Sequence, residues 1–150
     1  MKPRTVITVV LLAFVAASVV VLVAREFSGR GAPPEPPPAD GVVVTYFHRN
    51  KRCDTCTRIE TYAREAVQAG FAADVADGRV TFRTVNLDTP GNEHYVDQYQ
   101  LFANAVVLAE FRGGIQARWK NLAEVWDRTG DRADFVGYVQ RELADFMRAD

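Results

Sequence analysis

The chain has 150 residues, 48% of them hydrophobic and 25% charged, enough for one compact domain but not for two once a membrane segment is set aside. Its net charge of -1 is unevenly divided: residues 1–38 hold Lys2, Arg4, Arg25 and Arg30 against Glu26 and Glu35, which leaves -3 for the remainder, and neither part has the basic surplus that nucleic acid requires. Two cysteines, three positions apart, exclude a fold held by a disulfide framework.

From Val6 to Ala24 the chain reads VITVVLLAFVAASVVVLVA, without a charge. As a helix this run spans about 28 Å, the thickness of a bilayer core. A cleavable signal would have a shorter apolar stretch and a small-x-small site, which Leu22-Val23-Ala24 does not provide. An uncleaved anchor over residues 1–27 is therefore the expectation. Lys2, Arg4 and the amino terminus against Arg25 and Arg30 favour a cytoplasmic N-terminus. The rest of the chain then lies outside the cytoplasm, in the periplasm if the source is bacterial. Residues 28–40 contain Pro33-Pro34-Glu35-Pro36-Pro37-Pro38 and are expected to form an extended, stiff spacer.

The folded domain, expected over residues 41–150, opens with Gly41 to His48, β-branched and aromatic with little alternation, as in a strand buried on both faces. After the cysteines, Ile59, Tyr62, Ala63, Ala66, Val67 and Phe71 recur at helical spacing, with Glu60 and Arg64 placed for an i,i+4 pair. Val80 to Leu87 predicts a second strand. Thr89-Pro90 reads as a cap followed by proline in the first helical position, opening a short helix through Tyr95, Val96 and Tyr99. Ala105–Phe111 and Ile115–Trp119 flank Gly113-Gly114 and predict a hairpin. A turn around Leu122, Val125 and Trp126 precedes a last helix, capped by Asp131 and lined by Phe135, Val139, Leu143 and Phe146. The order βαβαββα predicts an α/β sandwich around a mixed sheet.

The candidate catalytic residues are Cys53 and Cys56 at the head of the first helix. Unpartnered N–H groups there stabilise a thiolate, the nucleophilic form. Cys56 lies on the face of Ile59, Tyr62 and Ala63 and is expected to be the more buried. Cys53 is thus assigned to attack and Cys56 to resolve the mixed disulfide. Arg49, Lys51, Arg52 and Arg58 favour the thiolate and Asp54 opposes it, so Cys53 is expected to titrate below free cysteine. A closed zinc site wants four ligands, and beyond the two thiols there are only His48 at the strand end and His94 on the second helix. No metal site is expected on this count, and no Gly-rich phosphate loop or other flavin or nicotinamide signature points to a cofactor.

This pattern resembles the thioredoxin superfamily across residues 41–148, with Val85-Asn86-Leu87-Asp88, Tyr99 and a strand ending in Arg112-Gly113-Gly114 in the same order. More narrowly, Tyr46-Phe47-His48, Arg52-Cys53-Asp54-Thr55-Cys56, Ile59-Glu60, Asn92-Glu93-His94 and Trp119-Lys120-Asn121-Leu122 resemble the thioredoxin-like family named nitrophenyl compound nitroreductase subunit ArsF. The broad resemblance implies a three-layer thioredoxin-like sandwich and a redox-active pair. The narrow one implies a role in reducing nitroaromatic compounds, here as an electron-passing or accessory subunit working with a membrane-bound or extracytoplasmic redox partner.

Three departures from ordinary thioredoxins stand out. Ala105 takes the place of the usual cis-proline, Arg52 replaces an aromatic residue before the first cysteine, and the first strand has no buried carboxylate. Proton handling is then expected to pass through His48 or water. Two other functions compete: a thiol module in which Cys53, Cys56 and His48 hold a soft metal or arsenic species, and a non-catalytic scaffold presenting Trp119, Trp126, Tyr95 or Tyr99 to a partner.

Overall fold

The computed structural model describes residues 36–149 and, within the first segment, Leu12, Phe14, Val15, Ala17, Ser18 and Val19, all six helical. The rest of the expected anchor at 6–24, and the linker up to Glu35, lie outside the described residues. Among the described residues no helix is long and apolar enough to cross a membrane. Contacts divide the chain into two units between Glu35 and Pro36, and the second of them carries the cysteine pair.

Strand β1, Gly41–His48, is buried from Val42 through Phe47, so both faces of it are covered, as its run of β-branched and aromatic residues predicts. It leads through a short loop to helix α1, Asp54–Gly70, then to a single turn and a half of helix, α2, Ala72–Ala76, which the apolar spacing does not predict. Strand β2, Val80–Asn86, runs parallel to β1 in the register Val42 to Val80 and His48 to Asn86. Strands β3, Ala105–Arg112, and β4, Ile115–Asn121, form the expected antiparallel hairpin, and the sheet order is β2-β1-β3-β4. The hairpin turns on Gly113 and Gly114, both at positive φ (59° and 77°), a conformation that side chains resist. A register shift between Glu110 and Phe111 marks a bulge in this pair.

Helix α3, His94–Gln98, lies between β2 and β3 and differs from its predicted start. Thr89 and Pro90 lie in a turn instead. Gly91 sits at φ 96°, which breaks any helix opened at Pro90, and Asn92 donates its side-chain amide to the Asn86 carbonyl at 2.8 Å, so the chain is folded back on the end of β2 before a helix can begin. After β4 a short 3-10 turn, Ala123–Val125, precedes the last helix, α4, Arg132–Arg148. This helix starts as predicted: the Asp131 carboxylate accepts from the Ala133 and Asp134 N–H groups.

The even positions of β1 (Val42, Val44, Tyr46) share one core with Val106 and Leu108 of β3 and with α1 and α4, through Ile59, Ala63, Val67, Phe135, Val139 and Leu143. Phe47 packs on the opposite face with Leu87, Tyr99, Leu101 and Val107, against Tyr95 and Val96 of α3. With α1 and α4 on one face of the sheet and α3 on the other, the three expected layers are present. Together with the parallel β1/β2 pair, the terminal hairpin and a CxxC heading α1, the arrangement is thioredoxin-like. Gly41 is required where β1 begins: its φ is 121°, and a Cβ there would meet the Arg79 carbonyl oxygen at 2.7 Å.

Candidate functional site

Cys53 is the N-cap of α1, in an extended conformation, and Cys56 is in the first turn; the two form a disulfide with their Cα atoms 5.0 Å apart. The Cys56 N–H points at Cys53 Sγ, 3.2 Å away, so the sulfur occupies the place a serine or aspartate oxygen takes in an ordinary cap. The Cys53 carbonyl accepts from the Thr57 N–H (3.0 Å) and hydroxyl (3.3 Å). Cys53 is exposed and Cys56 is buried at 6% exposure beside Ile59 and Ala63, in the order predicted for an attacking and a resolving thiol.

The cations expected around the pair are only partly available to it. Arg49 is paired with Asp88 at 3.0 Å, and Arg52 with Glu60, which also holds Arg64 at 3.1 Å, the predicted i,i+4 pair. Lys51 and Arg58 are exposed. Two carboxylates besides Asp54 thus counter the basic run, a balance invisible in the local sequence because Asp88 is contributed by the turn after β2. That carboxyl is held below the usual carboxylate range, chiefly by the Asn50 N–H at 2.7 Å and then by Arg49. The Asn86 side chain adds a bond to Asn50 at 2.7 Å, so the loop delivering Cys53 is moored to the end of β2.

Beneath the pair lies Tyr46, fully buried on β1. Its hydroxyl donates to the Cys56 carbonyl at 2.7 Å and receives the Asn104 side-chain amide at 3.4 Å; Asn104, 8% exposed, in turn accepts the Trp126 indole N–H on its main-chain carbonyl at 2.8 Å. The Arg52 guanidinium lies 6.0 Å above the Tyr46 ring and His48 stacks on it at 5.9 Å. Burial holds the phenol above its ordinary value, against the Asn104 bond and the Arg52 charge. His48, the histidine expected near the thiols, therefore meets the tyrosine ring, and its Nδ1 is engaged with the Arg49 carbonyl at 3.0 Å. His94 bonds the Gly91 carbonyl at 2.7 Å and packs on Tyr95. Among the described residues no group of three or more His, Cys, Asp or Glu side chains is placed to hold a metal ion.

Asn104 also lines a cleft of about 150 Å³ with Phe102, Ala105, Leu122, Val125 and Trp126. Ala105, expected at the family's proline position, is the first residue of β3 and forms part of this wall, and Phe102 beside it is 99% exposed. Of the aromatics considered for a partner surface, Tyr99 is buried and Trp119 half-buried against it, whereas Trp126 is 37% exposed.

No family model matches this chain, and no curated protein matches it. Among solved structures it is similar to a malarial protein, at 19% identity and a TM-score of 0.41 over 69% of this chain and 98% of that one. It is similar also to a thioredoxin from Thermus thermophilus, at 18% identity and a TM-score of 0.42 over 69% of this chain and 74% of the other. Thioredoxin f2 of Chlamydomonas reinhardtii matches at 18% identity and a TM-score of 0.38, over 57% and 69% of the two chains. The thioredoxin-like assignment rests on the sheet order and the seat of the cysteine pair.

Proposed function

We propose that the chain is a thiol–disulfide redox protein in which Cys53 attacks and Cys56 resolves. The observation that carries this reading is the Cys53 sulfur held as the cap of a 17-residue helix, accepting the Cys56 N–H, exposed, and within bonding reach of a buried second sulfur. The helix start and the backbone donor favour the thiolate over the thiol. In the reducing direction the Cys53 thiolate attacks one sulfur of a partner disulfide, forming a mixed disulfide and releasing the partner's other sulfur as a thiolate that takes a proton from solvent. Cys56 then loses its proton and attacks Cys53 Sγ, the partner's second thiol leaves, and the pair ends oxidised as the partner gains two electrons.

The finer reading is a membrane-anchored, electron-passing subunit of a nitrophenyl compound nitroreductase system, with the domain outside the cytoplasm. It is supported by the uncharged run Val6–Ala24 and by the Tyr46-Phe47-His48 and Arg52-Cys53-Asp54-Thr55-Cys56 segments that resemble the ArsF family. A nitro group takes up electrons in several steps, whereas a dithiol supplies one pair per cycle, so the chain passes electrons to a partner that carries the nitro chemistry. Trapping with Cys56→Ser tests both levels. A mixed disulfide that accumulates on Cys53 and is lost in Cys53→Ser supports the redox reading, and the trapped protein identifies the partner. Turnover of a nitrophenyl substrate by the purified chain and a thiol reductant alone would contradict the accessory role.

A further inference from the structure

Both backbone polar groups of Cys56 are engaged at this site. Its N–H points at Cys53 Sγ, and its carbonyl is held from below by the Tyr46 hydroxyl. When the disulfide opens the two sulfurs must separate, and the first turn of a helix, whose leading N–H groups have no intrahelical partner, is the part of α1 freest to relax. The tyrosine opposes that relaxation from a fixed base. Its ring is fully buried on the central strand, between β2 and β3, with His48 stacked on it. Its hydroxyl is positioned by Asn104, and Asn104 is itself held by the Trp126 indole.

Resting on the redox reading above, we propose that Tyr46 is a positioning residue for thiol exchange: by fastening the Cys56 carbonyl, its hydroxyl keeps the Cys56 N–H directed at Cys53 Sγ in the reduced protein and so stabilises the dithiol form relative to the disulfide. The N–H bond matters more in the reduced state, where Cys53 Sγ carries charge, because a hydrogen bond to a charged acceptor is roughly twice as strong as one to a neutral acceptor. The raised pKa of the buried phenol keeps it a donor throughout the neutral range. The first strand, which has no buried carboxylate, thus offers a neutral donor, one that fixes the Cys56 backbone without exchanging a proton.

A purely structural hydroxyl would stabilise both redox states equally, and this decides the experiment. In the full-length protein, Tyr46→Phe keeps the ring and removes only the donor. Its equilibrium with glutathione at pH 7 is expected to shift three- to tenfold towards the disulfide, a potential more negative by about 15 to 30 mV. Denaturant unfolding should agree, with the reduced form losing more stability than the oxidised form by the same factor. Asn104→Ala, which leaves the phenol in place without its guide, should shift the equilibrium in the same direction by less, and it serves as the deciding variant if Tyr46→Phe does not fold. An unmoved midpoint with equal loss of stability in both forms overturns the inference while leaving the redox reading intact. A wild-type chain that shows no reversible couple overturns both.

Discussion

The charge around Cys53 depends on which side chains reach it, not on how many stand beside it in the sequence. Arg49, Lys51, Arg52 and Arg58 together suggest a strongly cationic surround, yet Arg49 answers to Asp88 and Arg52 to Glu60. Glu60→Gln should leave Arg52, the residue before Cys53, unneutralised, and the pH midpoint for alkylation of Cys53 should move to lower pH, read by iodoacetamide labelling; a midpoint that stays in place would mean that Arg52 does not act on the sulfur. The buried tyrosines offer a second test at this scale. Tyr99 and Tyr138 are each pushed up to about 12 by burial. Between the unfolded value near 10 and this folded value the native state binds more protons than the unfolded chain, so their contribution is complete below about pH 10 and is lost as pH rises towards 12. Alkaline unfolding of the oxidised domain should therefore fall in that window, and Tyr99→Phe should weaken its dependence on pH.

Elements follow from local pattern where one pattern governs, and depart from it where distant groups compete. β1, α1, the Gly113-Gly114 hairpin and α4 are legible in the sequence because burial periodicity, caps and turn residues all agree there. Asp131 illustrates the agreement: Asp131→Ala should destabilise the domain by about 1 kcal/mol, seen as a fall of a few degrees in Tm. The short helix α3 begins later than its pattern predicts because Thr89-Pro90 satisfies the rule for a helix start, while Gly91 and the Asn92–Asn86 bond, which folds the turn against β2, override it. The cysteine pair is legible for the same reason that β1 and α1 are, since the CxxC lies between a strand and a helix that both declare themselves. The Tyr46–Asn104–Trp126 line is not. Its members are 58 and 22 residues apart in sequence, joined only by the β1/β3 pairing and the turn after β4, and a tyrosine in a buried strand gives no local sign of which carbonyl its hydroxyl will meet.

At the scale of the whole domain, the two ends of β1 divide the work. His48 leads into the cysteine loop, whereas Gly41 pairs with Phe111 beside the hairpin turn, roughly 25 Å away along a strand of this length. The end of the expected linker is tied down along the sheet: the Gly113 N–H donates to the Asp40 carboxylate at 2.9 Å and the Gly114 N–H to the Ala39 carbonyl at 2.6 Å, both at the Gly41 end, and Arg83, which pairs with Thr45 in the middle of the sheet, donates to the Pro36 carbonyl at 2.8 Å. Ala39 and Asp40 are thus held at the pole opposite the sulfurs. A fragment beginning at Pro36 should be more stable to urea than one beginning at Gly41 by about 1 to 2 kcal/mol, while the two share one redox potential. A difference in potential between them would mean that the two poles are coupled, contrary to this division.

The central claim is that Cys53 is the attacking sulfur and is more acidic than a free cysteine thiol. Its most direct test is site-resolved alkylation of the fully reduced protein across pH, followed by mass spectrometry. The account predicts that Cys53 is labelled first, with a midpoint clearly below the free-cysteine value of about 8.5, and that Cys56 stays protected until higher pH. Labelling of Cys56 ahead of Cys53, or a Cys53 midpoint at or above the free value, would contradict it.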